Sequence, residues 1–294
     1  MGKELLKNMY LSLKQILIYS VVLGLILLGG CTVFEDRDGC PNYLQIDLQE
    51  VDKNIKEWQM WLFNEEGTLI LKDTIYRRSY SAPYIVQVPR FDSVKCLLWG
   101  NMRSATNLME NYSYTTYLEK LEDVSADSLY FFTETINTKG ENSYMKVLPE
   151  KEFATVDIYV KGWVGTDYEA DMVLECASSG FYVSGELLNS KSFTDVKIHD
   201  MGTYYTHFRC RMWRQQDTEN IVLKLFIRDL QPDGTLGNIL VDNEIPIGEY
   251  LFENGYDMYS PSLADISMEV DYSYNRFMIR ADDWEATYKI LAEI

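Results

Sequence analysis

Short apolar segments recur along this chain, and their spacing limits its fold more than any other feature. They follow one another at intervals of about eight to twelve residues with turn residues between them, which is typical of β-sandwiches. Residues 153–160 alternate, so that one face of the predicted strand is apolar. Residues 94–99 form a dense apolar run that predicts a strand buried on both faces. Because no helical crossovers alternate with these strands, we expect an all-β chain of sandwiches.

Turn residues indicate which strands are neighbours. Residues 59–71 are typical of a β-hairpin, with Gly67 closing the turn. Residues 103–128 break the strand pattern because they are rich in Asn, Ser, Thr and Tyr, and we interpret them as one long crossing loop. Within that loop, residues 117–121 predict at most one or two helical turns. No helix of ten residues is expected anywhere in the chain.

The length of 294 residues predicts two domains. Residues 149–152, Pro-Glu-Lys-Glu, are the most charged short segment between two groups of strands. We therefore expect a domain boundary near residue 150, with one β-sandwich at 42–150 and a second at 151–294.

The amino terminus has the three-part layout of a secretory signal peptide. Lysines at positions 3, 7 and 14 precede an uncharged run from Ile16 to Leu28, and Leu28-Gly29-Gly30-Cys31 forms a bacterial lipobox. A plain membrane anchor is the alternative, but the apolar run is shorter than the about 20 residues that span a bilayer. We expect a signal peptide at 1–30, a lipid-modified Cys31, and an acidic tether at 31–41 outside the cytoplasm.

The formal charge of −18 excludes some classes of partner. Removal of the basic signal peptide makes the mature chain more acidic still. Such a chain repels phosphate backbones and anionic lipid head groups, so neither nucleic acid nor an electrostatic membrane contact is expected. The lipid on Cys31 is the expected membrane contact.

Four cysteines remain once Cys31 carries lipid: Cys40, Cys96, Cys176 and Cys210. An even number in an oxidising compartment is compatible with disulfides, and proximity in sequence favours Cys40 with Cys96 and Cys176 with Cys210. The alternative is that some are buried free thiols, since free cysteine packs like a small hydrophobic residue. Their spacing does not match a zinc site.

Residues that could carry catalysis lack the usual partners. His199 lies beside Asp200, and His207 lies on an alternating aromatic segment, with no serine elbow or Cys-His arrangement. The neighbouring carboxylates at 35–36, 65–66 and 282–283 fit a solvated acidic surface, and the acidic segment 229–233 is not a complete calcium loop. We expect no enzyme activity, no metal and no cofactor.

The aromatic content, which includes 22 tyrosines, allows a second functional class. Exposed tryptophans stack on sugar faces, so a glycan-binding surface protein is the alternative function, with Trp58, Trp163 and Trp213 as candidate platforms. Core packing is the other explanation of these side chains, because aromatic residues on strands are mostly buried.

Several segments, taken in order, resemble the fimbrillin-associated anchor proteins. After the lipobox come Asp-Gly-Cys-Pro at 38–41, Trp-Leu-Phe-Asn-Glu-Glu-Gly at 61–67 and Trp-Gly-Asn at 99–101. Residues 129–132 and 153–159 resemble the passage between the two domains of that family. The end of the chain, at 266–271, 276–280 and 283–284, resembles its closing strands, except that Asp283 stands where the family usually has glycine.

This resemblance implies a lipoprotein of the outer membrane that faces the exterior and contains two transthyretin-like β-sandwiches. It implies that the protein anchors a fimbria and limits its length. The implied partner is a fimbrial structural subunit, joined by strand exchange, in which an extended segment of one protein completes the sandwich of the next.

Overall fold

Twenty-two β-strands and one short α-helix form the part of the chain that this computed structural model describes. The described residues are 39–110, 113–161, 168–202, 204–216, 218, 220–272, 274, 276–281 and 284–289. The predicted signal peptide, Cys31 and most of the predicted tether lie outside them. The described residues from Pro41 onwards form one compact unit.

The first half of this unit contains ten strands. They are β1 (Asn42–Asp47), β2 (Glu57–Phe63), β3 (Leu69–Tyr76), β4 (Tyr84–Val88), β5 (Val94–Gly100), β6 (Thr106–Met109), β7 (Tyr117–Lys120), β8 (Tyr130–Ile136), β9 (Asn142–Lys146) and β10 (Glu150–Lys151). The sheet β4-β1-β9, in which β1 and β9 are parallel, faces the sheet β10-β8-β5-β2-β3. Their inner faces share one apolar core, which is the first sandwich.

Strand β5 is buried on both faces, as its apolar run predicted. Cys96 and Leu98 point into the core of the first sandwich, whereas Leu97 and Trp99 point into a separate apolar cluster on the other side. The hairpin of β2 and β3 is also confirmed, since the two strands pair and Gly67 has a φ of 75°, a conformation that glycine adopts without strain.

The second half contains the remaining strands and the helix. They are β11 (Phe153–Lys161), β12 (Tyr168–Cys176), β13 (Gly180–Tyr182), β14 (Leu187–Leu188), β15 (Ser192–Asp195), β16 (Lys197–Met201), β17 (Tyr205–Trp213), β18 (Val222–Leu230), β19 (Leu236–Ile245), α1 (Ile247–Glu253), β20 (Ile266–Asp271), β21 (Arg276–Ala281) and β22 (Trp284–Lys289). The sheet β16-β17-β11-β20-β21-β22 faces the sheet β15-β12-β18-β19 around a second core. The all-β sandwich fold is confirmed.

A smaller sheet, in the order β14-β13-β7-β6, joins the two halves. Its strand β7 comes from the first half and pairs with β13 from the second. The interpretation of residues 103–128 as one loop with helical turns near Tyr117 is therefore wrong. These strands have little apolar signal of their own, and β7 is held by its distant partner β13. This sheet contains strands from both sides of residue 150. The domain boundary near that residue stays a prediction.

The helix α1 has seven residues. In the described part of the chain, no helix has the length and apolar character that would let it cross a bilayer.

Candidate functional site

The cysteines that sequence reasoning singled out lie in different places. Cys31 is outside the described residues, and Cys40 is exposed. Cys96 lies in the first core, whereas Cys176 and Cys210 share the second. All four described thiols are free, so the pairings of Cys40 with Cys96 and of Cys176 with Cys210 are not formed in this structure and stay predictions.

Burial makes the three core thiols unreactive. It raises the pKa of Cys176 to about 12, and it raises the pKa of Cys96 and Cys210 well above the ordinary value. Because the thiolate is the reactive form, these cysteines stay protonated at neutral pH. They act as small core residues in this structure.

Two of the three candidate tryptophan platforms are core residues. Trp58 is completely buried in the first core, and Trp213 is 3% exposed in the cluster between the two sandwiches. Neither ring can stack on a ligand, so core packing, the other explanation of these side chains, is confirmed for both. The third candidate, Trp163, lies outside the described residues.

Both histidines lie in one polar cluster on the outer face of the six-stranded sheet. The Nε2 atom of His207 and the Nε atom of Arg209 each donate to Oδ1 of Asp157 at 2.6 Å. Arg209 also donates through Nη1 to Nε2 of His199 at 3.2 Å. Burial raises the pKa of Asp157, but the hydrogen bonds from Arg209 and His207 outweigh it and hold that pKa below its usual value. These bonds fix the orientation of His207.

A shallow groove of about 330 Å³ lies beside this cluster, and we term it the aromatic groove. It is lined by Tyr159, Lys161, Tyr205, Ser267, Glu269, Met278 and Arg280. The ring of Tyr159 stacks on His207 with centroids 4.3 Å apart and meets Tyr205 edge to face at 5.5 Å.

The charged side chains of the aromatic groove are paired across it and at its end. Lys161 Nζ lies 2.7 Å from Glu269 Oε2, and Arg280 Nε donates to Glu285 Oε2 at 2.8 Å. An aromatic pair between such hydrogen-bonding groups can hold a sugar ring, since the rings supply an apolar face and the charged groups supply donors and acceptors.

Sequence reasoning missed this groove although the signal was present. Asp157, Tyr159 and Lys161 occupy the outward positions of β11, while Val156, Ile158 and Val160 face the core. Tyr159 lies between charged residues at the strand positions that face solvent. This placement distinguishes it from an aromatic residue at the positions that face the core. Its partner Tyr205 comes from β17, however, and only the pairing of β11 with β17 brings the two rings together.

The carboxylate pairs do not form a site in the described part of the chain. Glu65 and Glu66 are exposed in the β2–β3 turn, whereas residues 35–36 and 282–283 are outside the described residues. In the 229–233 segment, Asp233 accepts from the backbone and hydroxyl of Thr235. No three His, Cys, Asp or Glu side chains among the described residues are placed to hold a metal ion.

A buried ion pair holds the segment that connects the two sandwiches, residues 151–152, in place. Arg214 donates to Glu152 Oε2 at 2.5 Å, and its other nitrogens donate to the carbonyls of Lys151, Met258 and Ser260. Burial raises the pKa of Glu152, and the Arg214 guanidinium opposes that shift.

A buried lysine makes a second set of hydrogen bonds between the two halves of the chain. Lys120 Nζ donates to the carbonyls of Leu121, Val124 and Phe193, of which the last belongs to the second half of the chain. Burial lowers the pKa of Lys120. The two sandwiches are thus tied by charged hydrogen bonds as well as by the shared sheet.

No known family and no curated protein matches this sequence. Solved structures do match. The fimbrial anchor protein Mfa2 from Porphyromonas gingivalis is 10% identical, with a TM-score of 0.60 over 84% of this chain and 99% of that one.

Two structures from Bacteroides thetaiotaomicron are similar to the same extent. A proposed adhesin is 13% identical with a TM-score of 0.58, covering 85% of this chain and 98% of that one. A proposed polysaccharide-binding protein is 12% identical with a TM-score of 0.60 and the same coverage. The resemblance to the anchor proteins is thus confirmed in the fold.

Proposed function

We propose that this protein is a lipoprotein of the outer membrane that anchors a fimbria and limits its length. The observation that carries the proposal is the fold: it covers 99% of the Mfa2 anchor structure and follows directly on the lipobox and its tether.

The tether keeps the folded part close to the membrane. Fully extended, the chain between Cys31 and Asn42 reaches at most about 40 Å. Each buried methylene of an acyl chain contributes about 0.8 kcal/mol, so several chains on Cys31 hold the protein firmly in the bilayer. A subunit bound to the folded part is then fixed to the cell surface.

An anchor must also pass a pulling force from its partner to its lipid. The pairing of β7 with β13, the hydrogen bond from Arg214 to the Lys151 carbonyl of β10 and the Lys120 hydrogen bonds connect the first sandwich to the second. These connections support a role in which the sandwiches act as one body. Limitation of fimbrial length follows if the anchor accepts a subunit and offers no second site for growth.

Removal of the lipid site tests the proposal. In its own host, Cys31→Ala should release the folded protein and its fimbriae from outer membranes, and deletion of the gene should give longer or shed fibres. Cys40→Ala is the matched control, because it removes an exposed cysteine of the same tether and keeps the lipid site. Continued membrane association of Cys31→Ala, or fibres of normal length and attachment after deletion, would contradict the anchoring role.

The aromatic groove favours a second candidate function, binding of a surface glycan. Tyr159 and Tyr205 replace the buried tryptophans as the stacking platform, with Lys161 and Glu269 as hydrogen-bonding groups. The likeness to a proposed polysaccharide-binding protein supports this alternative. It is compatible with anchoring, since the groove lies on an outer sheet face and strand exchange uses sheet edges.

A further inference from the structure

One side of the second sandwich is open between its two sheets. Strand β12 pairs with β18 from Tyr168 to Glu175, but it pairs with β15 only from Val173 to Cys176. After β15 the chain crosses to the other sheet, where β16 pairs with β17. Among the described residues, no strand pairs with the outer edge of β12 before Val173.

The backbone of β12 offers hydrogen-bonding groups to this opening. Met172 O accepts from Val196 N at 2.9 Å, so the N–H and C=O of Met172 point towards the outer edge. In a regular antiparallel strand these groups alternate in direction from residue to residue. Because β12 has no register shift, the N–H and C=O of Ala170 point to the same side.

Apolar side chains line part of this opening, which we term the side groove. A recess of about 610 Å³ along β12 adjoins a smaller apolar notch, and the two share Ala170, Ile198 and Phe208. Met172 lines the recess, and Met201 and Ile227 line the notch. Ile198 and Met201 of β16 are 51% and 58% exposed, so they present apolar surface beside the opening.

The rim of the side groove is acidic. Glu169, Asp171 and Asp195 line it beside a single cation, Lys197, which pairs with Asp195 at 2.9 Å. A segment that enters the groove therefore meets an excess of negative charge. Basic side chains on such a segment are favoured, and acidic ones are repelled.

Strand β19 is the edge strand on the opposite side of this sheet. Strand β19 pairs with β18 from Leu223 to Leu230, and Asn243 of β19 donates to the hydroxyl of Tyr272, which follows strand β20 of the other sheet. Ile239 on β19 is 54% exposed, close to the value for Ile198. Exposure of apolar side chains therefore does not by itself distinguish the side groove from the opposite side of the sandwich. The side groove is instead defined by the open part of the β12 edge together with the recess beside it.

We propose that the side groove receives an extended segment of the fimbrial subunit, which adds a strand to the outer edge of β12. This inference rests on the proposed function and names the contact through which it operates. The segment pairs with the backbone around Ala170, places alternate apolar side chains against Ile198 and Met201, and carries lysine or arginine at positions that face Glu169 and Asp171.

A binding assay with a defined peptide tests the groove itself. The probe is a nine-residue peptide of alternating valine and lysine, and the protein is the full lipoprotein in detergent. We expect binding of this peptide and none of its valine–glutamate counterpart. Ile198→Asn should weaken binding about tenfold or more, whereas the matched variant Ile239→Asn should leave it within about twofold.

A charge reversal separates local from overall electrostatics. Asp171→Lys and Asp242→Lys change the net charge equally, and both residues are exposed on strands of the same sheet. Only Asp171→Lys should weaken binding of the valine–lysine peptide. Equal effects of the two variants, or equal binding of both peptides, would overturn the proposal.

Photo-crosslinking in the host identifies the natural occupant. A photoreactive amino acid at position 198 should capture a terminal, extended segment of a polymer-forming subunit, and one at position 239 should not. Capture at 239 alone, or a subunit that co-purifies without any crosslink at 198, would overturn the inference and leave the anchoring role intact. Absence of any bound subunit, together with peptide binding at the groove, would instead contradict the anchoring role.

Discussion

The indole Nε1 of Trp99 in β5 donates to the carbonyl oxygen of Val183 at 2.9 Å, a buried hydrogen bond between the first and second halves of the chain. The ring also packs against Phe131 and Phe181, with centroids 4.5 and 5.1 Å away. The passage between the sandwiches thus contains both an apolar cluster and a specific polar contact.

A pair of substitutions isolates this hydrogen bond. Trp99→Phe leaves the Val183 carbonyl without its donor, which costs about 1–3 kcal/mol beyond the change in packing. Trp58→Phe is the matched control, because Trp58 is equally buried and its Nε1 atom has no hydrogen-bond partner. Urea unfolding followed by circular dichroism should show the larger loss for Trp99→Phe, and a loss of equal or smaller size would count against the role of the bond.

The Arg214–Glu152 pair should respond strongly to removal of one partner. Arg214→Met leaves Glu152 buried without its counter-ion, and we expect a loss of about 3–5 kcal/mol in the free energy of unfolding. The double variant with Glu152→Gln removes the unpaired charge and should recover part of that loss. Additive effects in the double-mutant cycle would show that the two side chains do not act as a pair.

Asp157 should make the stability of the protein depend on acid pH. Its pKa in the folded chain lies below the ordinary value of 3.8, so the unfolded chain binds more protons in that range and folding is favoured above it. That contribution is present above about pH 4 and is lost as the pH falls through the folded pKa. Asp157→Asn should therefore unfold at lower urea concentration at pH 7, with a difference that shrinks towards pH 3. If the stabilities of the two proteins differed by the same amount at every pH, this prediction would be contradicted.

Thiol labelling tests the state of the cysteines. Without reductant, the native protein should react with iodoacetamide at the exposed Cys40, and unfolding should add Cys96, Cys176 and Cys210. The buried thiols are protected by their surroundings and by raised pKa values. Residues that stay unlabelled after unfolding without reductant would instead be disulfide-bonded, and mass mapping would show whether Cys40–Cys96 and Cys176–Cys210 are the pairs.

Glycan binding should depend on the tyrosines of the aromatic groove. Loss of one stacking ring costs about 1–2 kcal/mol, so Tyr159→Ala or Tyr205→Ala should weaken binding of a surface polysaccharide about tenfold. Tyr274→Ala is the control, since Tyr274 is 74% exposed and is absent from the lining of the groove. Calorimetry on polysaccharide from the host envelope measures the effect. Equal affinities of all three variants would exclude the groove as the site.

The local sequence pattern was sufficient to predict those strands and turns whose own residues decide which face is buried. The alternation in β11 and the apolar run in β5 predicted strands with the faces that are observed, and Gly67 marked its hairpin. Strand β7 was missed because Tyr117–Lys120 has no such pattern and is held by β13, which lies far away in the sequence. Both core packing and an exposed platform were open for Trp58 and Trp213, because sequence does not tell which face of a strand is covered by a neighbouring layer.

By itself the sequence predicted the all-β class and a lipobox at Cys31 and determined the acidic charge, because each depends on residue type, spacing or charge along the chain. The tertiary structure alone decided which strands from the two halves pair, how Tyr159 and Tyr205 meet, and that the edge of β12 beside Ala170 is open. These features arise where strands distant in sequence lie side by side or fail to do so. Long-range pairing depends on the packing of the whole chain, and no local pattern records it.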